Sequence, residues 1–343
     1  MIAAIALHIA TTRTSSVDRL MTRYVGLVPG ASVIVVHRGE IALRRSYGLA
    51  EVEREVRVTP KTNFRLASVS KQFTAAAIEQ LVERGKLSYD DPITKSLPLL
   101  PSYARAITIR HLLTHTSGLI DYEDLIPATA TKQIHDDDVL RLIEQTDHTY
   151  FAPGTSYRYS NSGYVLLGLI VAKTSGQSFA SYLKHEIFEP LSMHDTLAYE
   201  EGKSAIANRA YGYAHEKDKF VRRDQSIISA TLGDGGIYSS ADDLVHWDRA
   251  LEQATLVGRD TLKLAFTPAT ATDDPNVKYG FGWRISDHHG HRTIWHSGET
   301  VSFRNVIVRF PDDRLTVIIL TNRDDPEPYK TALEIADVWL ERR

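Results

Sequence analysis

The spacing of apolar residues changes along the chain, and the N-terminal part predicts two helices around a hairpin. Apolar positions recur at helical spacing in Val17–Val25 and in Ser68–Arg84, and Gly85 stands where a left-handed C-terminal cap is expected. Between these helices, Ala31–Val36 and Ile41–Tyr47 are short extended runs separated by a glycine-containing turn. These two runs predict a β-hairpin.

The remaining two thirds of the chain change from helical to extended patterns. Amphipathic stretches interrupted by prolines predict short helices over Thr108–Thr114, Asp136–Gln145 and Tyr164–Thr174. Later apolar runs with turn signals between them predict an antiparallel meander, with strands at Tyr279–Ile285, Arg292–Trp295, Phe303–Phe310 and Leu315–Leu320. The final element, Tyr329–Leu340, has an apolar helical face that suits packing on this sheet beside the first helix.

This order of elements predicts an α/β fold built on an antiparallel sheet. We expect residues 1–86 and 231–343 to form one discontinuous α/β domain, interrupted by a mainly helical region over residues 87–230. With 343 residues, of which 43% are hydrophobic, the chain can bury a large core.

Charge and composition narrow the possible functions. The formal net charge of -3 lacks the basic excess that nucleic-acid binding requires, and the absence of cysteine excludes a thiol nucleophile and disulfides. No apolar stretch reaches the roughly 20 residues of a membrane-spanning helix. The apolar segment Met1–Ala10 has no basic residue before it, which argues against a signal peptide. We expect a soluble protein, and the sequence leaves its compartment and oligomeric state open.

The first candidate for chemistry is the pair Ser68 and Lys71. Residues three apart on a helix share a face, so the amine can reach the hydroxyl and activate it as a nucleophile. The pattern alone is weak, because Ser181 and Lys184 repeat it. That second pair lies within a predicted helix and is interpreted as a solvated helix face.

Two further motifs support Ser68. Tyr159-Ser160-Asn161 follows the turn signal Pro153-Gly154, which favours presentation of a phenol and an amide on a loop. Tyrosine can relay protons, and an asparagine side chain can bind a substrate amide through both its donor and its acceptor. His296-Ser297-Gly298 ends a predicted strand, where the glycine would let a substrate backbone come close.

In this order, Ser-x-x-Lys, Tyr-x-Asn and His-x-Gly resemble the serine β-lactamase and penicillin-binding protein superfamily, in the branch related to class C. The flanking sequences strengthen the resemblance, and they are Phe64–Ser68, His111–Leu119, Gly235–Ser240 and Tyr279–Trp283. It implies a three-layer α/β sandwich with a mainly helical region, and an active site in the cleft between them.

The resemblance also implies a role for each motif residue. Ser68 would be the acylated nucleophile, Lys71 its proton-accepting neighbour, and Tyr159 the base that returns a proton to the leaving group. Asn161 would hold the acyl-side amide of the substrate. In the third motif, His296 would be a catalytic residue, and Ser297 and Gly298 would bind substrate. The backbone N–H groups of Ser68 and Glu299 would form the oxyanion hole.

The third motif departs from the class C β-lactamase pattern, since His296 stands where a lysine is usual. A histidine with an ordinary pKa near 6.5 is not a permanent cation. We therefore expect a serine hydrolase that acts through an acyl-enzyme on a small-molecule or peptide ester or amide, of the esterase or D-peptidase type. The alternatives are a β-lactamase and a non-catalytic, penicillin-recognising or structural member of the same fold.

The sequence gives no sign of a cofactor or a metal. Walker and dinucleotide-binding motifs are absent, as is the Gly-x-Ser-x-Gly elbow of α/β-hydrolases. His111 and His115 have i, i+4 spacing but lack the glutamate of a zinc-protease helix, so we expect a structural role. The cluster of His288, His289 and His291 is interpreted as a solvated turn.

Overall fold

The computed structural model of the protein describes residues 12–341. The apolar segment Met1–Ala10 lies outside the described residues. The described α-helices are α1 (residues 12–20), α2 (Lys71–Glu83), α3 (Ile109–Leu113), α4 (Tyr122–Leu125), α5 (Asp136–Glu144), α6 (Asn161–Ser175), α7 (Phe179–Leu183), α8 (Ala241–Gln253), α9 (Arg259–Ala265) and α10 (Tyr329–Ala336).

Extended segments alternate with these helices in the first and last thirds of the chain. The strands are β1 (Ala31–His37), β2 (Glu40–Tyr47), β3 (Leu49–Glu51), β4 (Val56–Arg57), β5 (Phe64–Arg65), β6 (Leu197–Ala198), β7 (Tyr213–Glu216), β8 (Lys219–Arg222), β9 (Ile237–Ser239), β10 (Thr270–Ala271), β11 (Lys278–Tyr279), β12 (Arg284–His288), β13 (His291–Thr300), β14 (Phe303–Phe310) and β15 (Leu315–Thr321).

The largest sheet has eight strands in the order β10-β11-β12-β13-β14-β15-β1-β2. All of its neighbours are antiparallel, so the C-terminal meander continues into the N-terminal hairpin through the pairing of β15 with β1. This pairing brings the two ends of the chain together. The middle of the sheet is buried on both faces, which explains why β15 reads as an uninterrupted apolar run.

The two faces of the sheet pack against different helices. On one face, Val33 and Val317 pack with Val17 of α1 and Ile335 of α10. On the other face, the core includes sheet residues such as Ile318 together with residues of α2, α6 and α8. This arrangement confirms the expected three-layer α/β sandwich, because helices cover both faces of an antiparallel sheet.

Several predicted elements need correction at their bounds. The first helix covers residues 12–20, and a 3₁₀ turn at Thr22–Tyr24 follows it, whereas one helix was predicted over Val17–Val25. The predicted strand Tyr279–Ile285 is wrong, because a turn separates β11 from β12. Gly282 has the left-handed φ of 75° in this turn, and Gly280 lets the turn lie against α9, since a Cβ there would be 2.0 Å from the carbonyl oxygen of Ala265.

Residues 87–230 contain the helices α3 to α7, but they are not wholly helical. The hairpin of β7 and β8 lies within this region, and β6 pairs with β9 in a small three-stranded sheet. The division into residues 1–86 with 231–343, and residues 87–230, stays a prediction. Among residues 12–341, no helix has the length and apolar character needed to cross a membrane.

A buried ion pair fastens α8 to the sheet. Asp248 of α8 accepts hydrogen bonds from Arg309 Nε of β14 at 2.7 Å and from Thr316 Oγ1 of β15 at 2.8 Å. The side chains of Arg309 and Asp248 are only 7% and 4% exposed. Removing one member of such a pair leaves the other charge buried without compensation.

Replacement of Asp248 by alanine is therefore expected to lower the free energy of unfolding by about 3–5 kcal/mol. Glu252→Ala is the matched control, because Glu252 lies on the same helix and pairs with Arg314 at 2.7 Å, but in an exposed setting. Its cost should stay within about 1 kcal/mol. Urea denaturation measures both, and equal costs would show that the Asp248 pair does not fasten α8.

Candidate active site

Ser68 lies in a tight turn just before a helix. Residues Ala67–Ser70 form a 3₁₀ turn, and α2 begins at Lys71, so the predicted helical start at Ser68 is wrong by three residues. Ala67 has a φ of 51°, a left-handed conformation that residues with side chains seldom adopt. In a 3₁₀ turn residues i and i+3 eclipse one another, so the predicted juxtaposition of Ser68 and Lys71 still occurs.

The fully buried side chain of Lys71 joins three segments of the chain. Its Nζ lies 3.1 Å from Ser68 Oγ, 2.8 Å from Asn161 Oδ1 and 2.9 Å from the carbonyl oxygen of Asp234. The last two oxygens can only accept, so they fix two N–H groups of Lys71. The third position on the nitrogen faces Ser68, where an ammonium donates to the hydroxyl and an amine accepts its proton. This geometry suits activation of Ser68.

Asn161 begins α6 and is held by acidic neighbours. Its Nδ2 donates to Glu123 Oε1 at 2.9 Å, and its backbone N–H donates to Asp121 Oδ2 at 3.0 Å. Partial desolvation and the charges of Asp121 and Asp234 raise the pKa of Glu123. Because Oδ1 of Asn161 is engaged by Lys71, the second hydrogen on Nδ2 is what remains for a substrate.

Gly298 allows a close backbone contact with the turn that carries Ser68, and its predicted contact with substrate stays a prediction. A Cβ at this position would lie 2.0 Å from the carbonyl oxygen of Leu66 and 3.2 Å from the backbone nitrogen of Val69. The glycine therefore lets β13 approach this turn, a contact that the sequence did not reveal. The motif also lies inside a ten-residue strand and not at its end.

Tyr159 lies on the loop before α6, next to Lys71. The Lys71 Nζ is 4.9 Å from the centre of the Tyr159 ring, and the Arg284 guanidinium is 5.6 Å from it. Two basic side chains therefore lie against this ring. The ring of His296 lies 6.2 Å away, centre to centre. The structure accordingly brings Ser68, Lys71, Tyr159 and His296 into one neighbourhood.

His296 is buried and neutral. Its Nδ1 lies 2.6 Å from the carbonyl oxygen of Ser297, and its Nε2 lies 2.9 Å from the hydroxyl of Tyr279. Since a carbonyl only accepts, Nδ1 carries the proton and Nε2 accepts from Tyr279. Burial, together with the charges of Arg284 and Lys71, holds the pKa of His296 well below its usual range. A permanent positive charge is therefore absent from this side chain.

A cleft of about 180 Å³ opens beside Ser68. The described residues that line it include Ser68, Asn161 and Glu299, but not Ser297. The two predicted oxyanion-hole residues, Ser68 and Glu299, therefore border one space. Ser297 is half-buried, and its carbonyl oxygen receives the hydrogen bond from His296.

Three residues of the site were not singled out from the sequence, namely Asp234, Glu123 and Tyr279. Asp234 directly precedes the glycine pair of the segment Gly235–Ser240, and this position is the signal that could have revealed it. Tyr279 was interpreted as the opening of a strand and as part of the flanking segment Tyr279–Trp283, with no role in the site. Its hydrogen bond to His296 connects strands β11 and β13, which are not neighbours in the sheet.

The alternative motifs have structural roles, with one correction. Lys184 is exposed and forms a surface ion pair with Glu189, so the pair of Ser181 and Lys184 fits a solvated helix face. His111 completes the N-terminal capping of α3 through Thr108, which agrees with the structural role expected for it.

The predicted solvated turn of three histidines is wrong for His291. That residue is only 2% exposed and bonds to Asp313 at 2.8 Å, because β13 begins there and packs beside the next hairpin. His288, His289 and Asp337 offer ligand atoms within 4.8 Å of one another, so they are the described residues that could hold a metal. They lie at the opposite end of β13 from Gly298.

Neutral His296 has a consequence for stability that depends on pH. Its pKa in the folded state lies below that in the unfolded chain, which is about 6.5. The contribution of neutral His296 to the free energy of unfolding is therefore fully present above about pH 6.5. It is lost as the pH falls toward the pKa of His296 in the folded state. The stability advantage of the wild type over a His296→Gln variant should shrink between about pH 7 and pH 5. Urea denaturation of both proteins measures this difference, and an advantage that grows toward acid pH would contradict the neutral state.

Comparison with known proteins agrees with this geometry. Residues 17–338 match the family model described as Beta-lactamase. The chain is 34% identical to Penicillin-binding protein 4* of Bacillus subtilis, over 88% of this chain and 70% of that protein. It is 30% identical to D-aminopeptidase of Gluconobacter oxydans, over 90% of this chain and 58% of that protein.

Among solved structures, D-amino acid amidase from Ochrobactrum anthropi, complexed with L-phenylalanine amide, superposes with a TM-score of 0.82 at 25% identity. The superposition covers 96% of this chain and 98% of that one. The chain thus spans from 58% to 70% of the length of the two relatives above, but nearly all of the amidase. It belongs to the β-lactamase family, and its predicted place in the class C-related branch of serine hydrolases is confirmed.

Proposed function

We propose that this serine hydrolase cleaves the amide bond of a small amide or short peptide whose acyl group carries a free ammonium group. The observation that carries the proposal is the acidic lining of the cleft beside Ser68, which contains Glu123, Asp234 and Glu299. Arg65 also lines the cleft, but its guanidinium donates to Gln225 and to the carbonyl oxygen of Ser229.

The carboxylates on the acyl side are short of compensating charge. The pKa values of Asp121 and Glu123 lie above their usual range, mainly because of desolvation; the charge of Asp234 raises both, and that of Asp121 also raises the pKa of Glu123. Asp234 Oδ1 is buried and has no hydrogen-bond partner among residues 12–341. A substrate ammonium would supply the missing positive charge and a donor, which supports a cationic acyl group.

The reaction follows from the arrangement around Lys71. Ser68 Oγ attacks the substrate carbonyl as its proton passes to the network of Lys71 and Tyr159. The C–N bond then breaks while the leaving amine takes a proton from this network, and an acyl-enzyme remains on Ser68. Water attacks the ester, the acid leaves and Ser68 regains its proton. The backbone N–H groups of Ser68 and Glu299 are proposed to hold the oxyanion.

A β-lactam would need its carboxylate to be recognised at the third motif. Neutral His296 argues against efficient recognition there, because it carries no positive charge. The names of two similar proteins, a D-aminopeptidase and a D-amino acid amidase, agree with an amide substrate that has a free amine. Ester hydrolysis uses the same nucleophile and remains compatible with this site.

The proposal predicts that Glu123 makes the enzyme prefer substrates with a free ammonium group. The wild type should cleave D-alanine p-nitroanilide with a higher kcat/KM than N-acetyl-D-alanine p-nitroanilide, which has lost the ammonium. Glu123→Gln should lower kcat/KM for the free-amine substrate by about tenfold, since a charge-assisted hydrogen bond contributes about 1.5–3 kcal/mol. Its effect on the acetylated substrate should stay within about threefold.

The matched control is Asp124→Asn, which removes the same charge from the next residue. Asp124 is exposed and bonds to Tyr150 at 2.6 Å. This variant should leave the preference unchanged. The proposal fails if the wild type cleaves the acetylated substrate equally well, or if Glu123→Gln weakens both substrates to the same extent.

A further inference from the structure

His115 holds the chain on both sides of Tyr159. Its carbonyl oxygen accepts the backbone N–H of Arg158 at 3.0 Å, and its Nδ1 accepts the backbone N–H of Ser160 at 3.1 Å. One residue thus receives the two amide groups that flank Tyr159. Ser160 also caps α6, since its Oγ accepts the N–H of Gly163 at 3.1 Å.

The imidazole of His115 also packs directly on the Tyr159 ring. The two ring centres are 4.3 Å apart, and the rings of Tyr279 and Tyr164 lie 4.6 and 5.0 Å from that of His115. The side chain of His115 is fully buried. It therefore fills the space behind Tyr159 and supports one side of that ring.

The hydrogen bond from Ser160 requires one particular form of the imidazole. Nδ1 must keep its lone pair, so the proton lies on Nε2, which is buried and has no hydrogen-bond partner among the described residues. Burial, reinforced by the charges of Lys71 and Arg284, holds the pKa of His115 well below its usual range. Burying the Nε2–H of His115 without a hydrogen-bond partner costs free energy. This cost is accounted for if the site needs Nδ1 as an acceptor.

We propose that His115 is a positioning residue that sets Tyr159 beside Lys71, acting as a neutral acceptor for the Ser160 amide. This inference rests on the proposed role of Tyr159 in moving a proton to the leaving group. Displacing a proton-transfer group by about 1 Å can cost about 100-fold in rate, so loss of the acceptor should slow the chemical step while substrate binding persists.

The test compares two variants of similar shape. His115→Asn places an acceptor oxygen near the former Nδ1 and tolerates the left-handed φ of 58°. His115→Leu has the same branching without an acceptor. On D-alanine p-nitroanilide, His115→Leu should lower kcat by about 10- to 100-fold with little change in KM. His115→Asn should recover most of that loss.

A second readout separates positioning from a general loss of structure. The p-nitrophenolate group leaves without a proton, whereas p-nitroaniline needs one. His115→Leu should therefore slow hydrolysis of D-alanine p-nitroanilide more than hydrolysis of p-nitrophenyl acetate. Because His115 acts through Tyr159, the double variant His115→Leu/Tyr159→Phe should be no slower on the anilide than Tyr159→Phe alone.

Thermal unfolding measures whether each variant is folded. If His115→Leu does not fold, His115→Gly replaces it, because glycine relaxes the left-handed backbone. The role of His115 would be overturned if the rate losses of His115→Leu and Tyr159→Phe multiplied in the double variant. It would also be overturned if His115→Leu lost equal rate on the anilide and on the ester. Full anilide activity of Tyr159→Phe would overturn both this role and the one proposed for Tyr159. Loss in Tyr159→Phe with full activity in His115→Leu would overturn the inference about His115 alone.

Discussion

The site depends on the buried Nζ of Lys71, because its three hydrogen bonds connect the adjacent turn with two distant parts of the chain. They join the turn of Ser68, the first residue of α6 and the loop at Asp234. A buried amine needs every one of these partners, since an unpaired polar group in the interior is costly. The packing of α2 between the sheet and α6 therefore fixes the nucleophile and its proton-transfer partners together.

Close backbone contact and neutral histidines complete this arrangement. Gly298 lets β13 touch the turn of Ser68, and a side chain there would push the strand away. His296 and His115 are both buried next to Lys71, and burial together with that positive charge disfavours their protonation. The neutral rings leave Lys71 and Arg284 as the positive charges beside the Tyr159 ring. In the cleft beside Ser68, Glu123 and Asp234 are acidic instead.

The sequence predicted those features that depend on local patterns. The strand Phe303–Phe310 follows from periodicity and appears with the predicted bounds. The predicted strand at Tyr279–Ile285 failed because its interruption depends on a contact between Gly280 and Ala265, which no local pattern encodes. Glu123, Asp234 and the burial of His291 were missed for the same reason, since their partners are far away in the chain. Resemblance to a family located Ser68, but not the acidic environment that we propose selects its substrate.

Trapping the covalent intermediate tests the central claim most directly. The protein is mixed with p-nitrophenyl acetate, quenched in acid within milliseconds, digested and mapped by mass spectrometry. An acetyl group should be found on the peptide that carries Ser68, and it should be lost in Ser68→Ala and disappear on longer incubation as water hydrolyses the ester. Turnover without any acyl group on Ser68, or an acyl group on the peptide of Ser181 that persists in Ser68→Ala, would contradict the account.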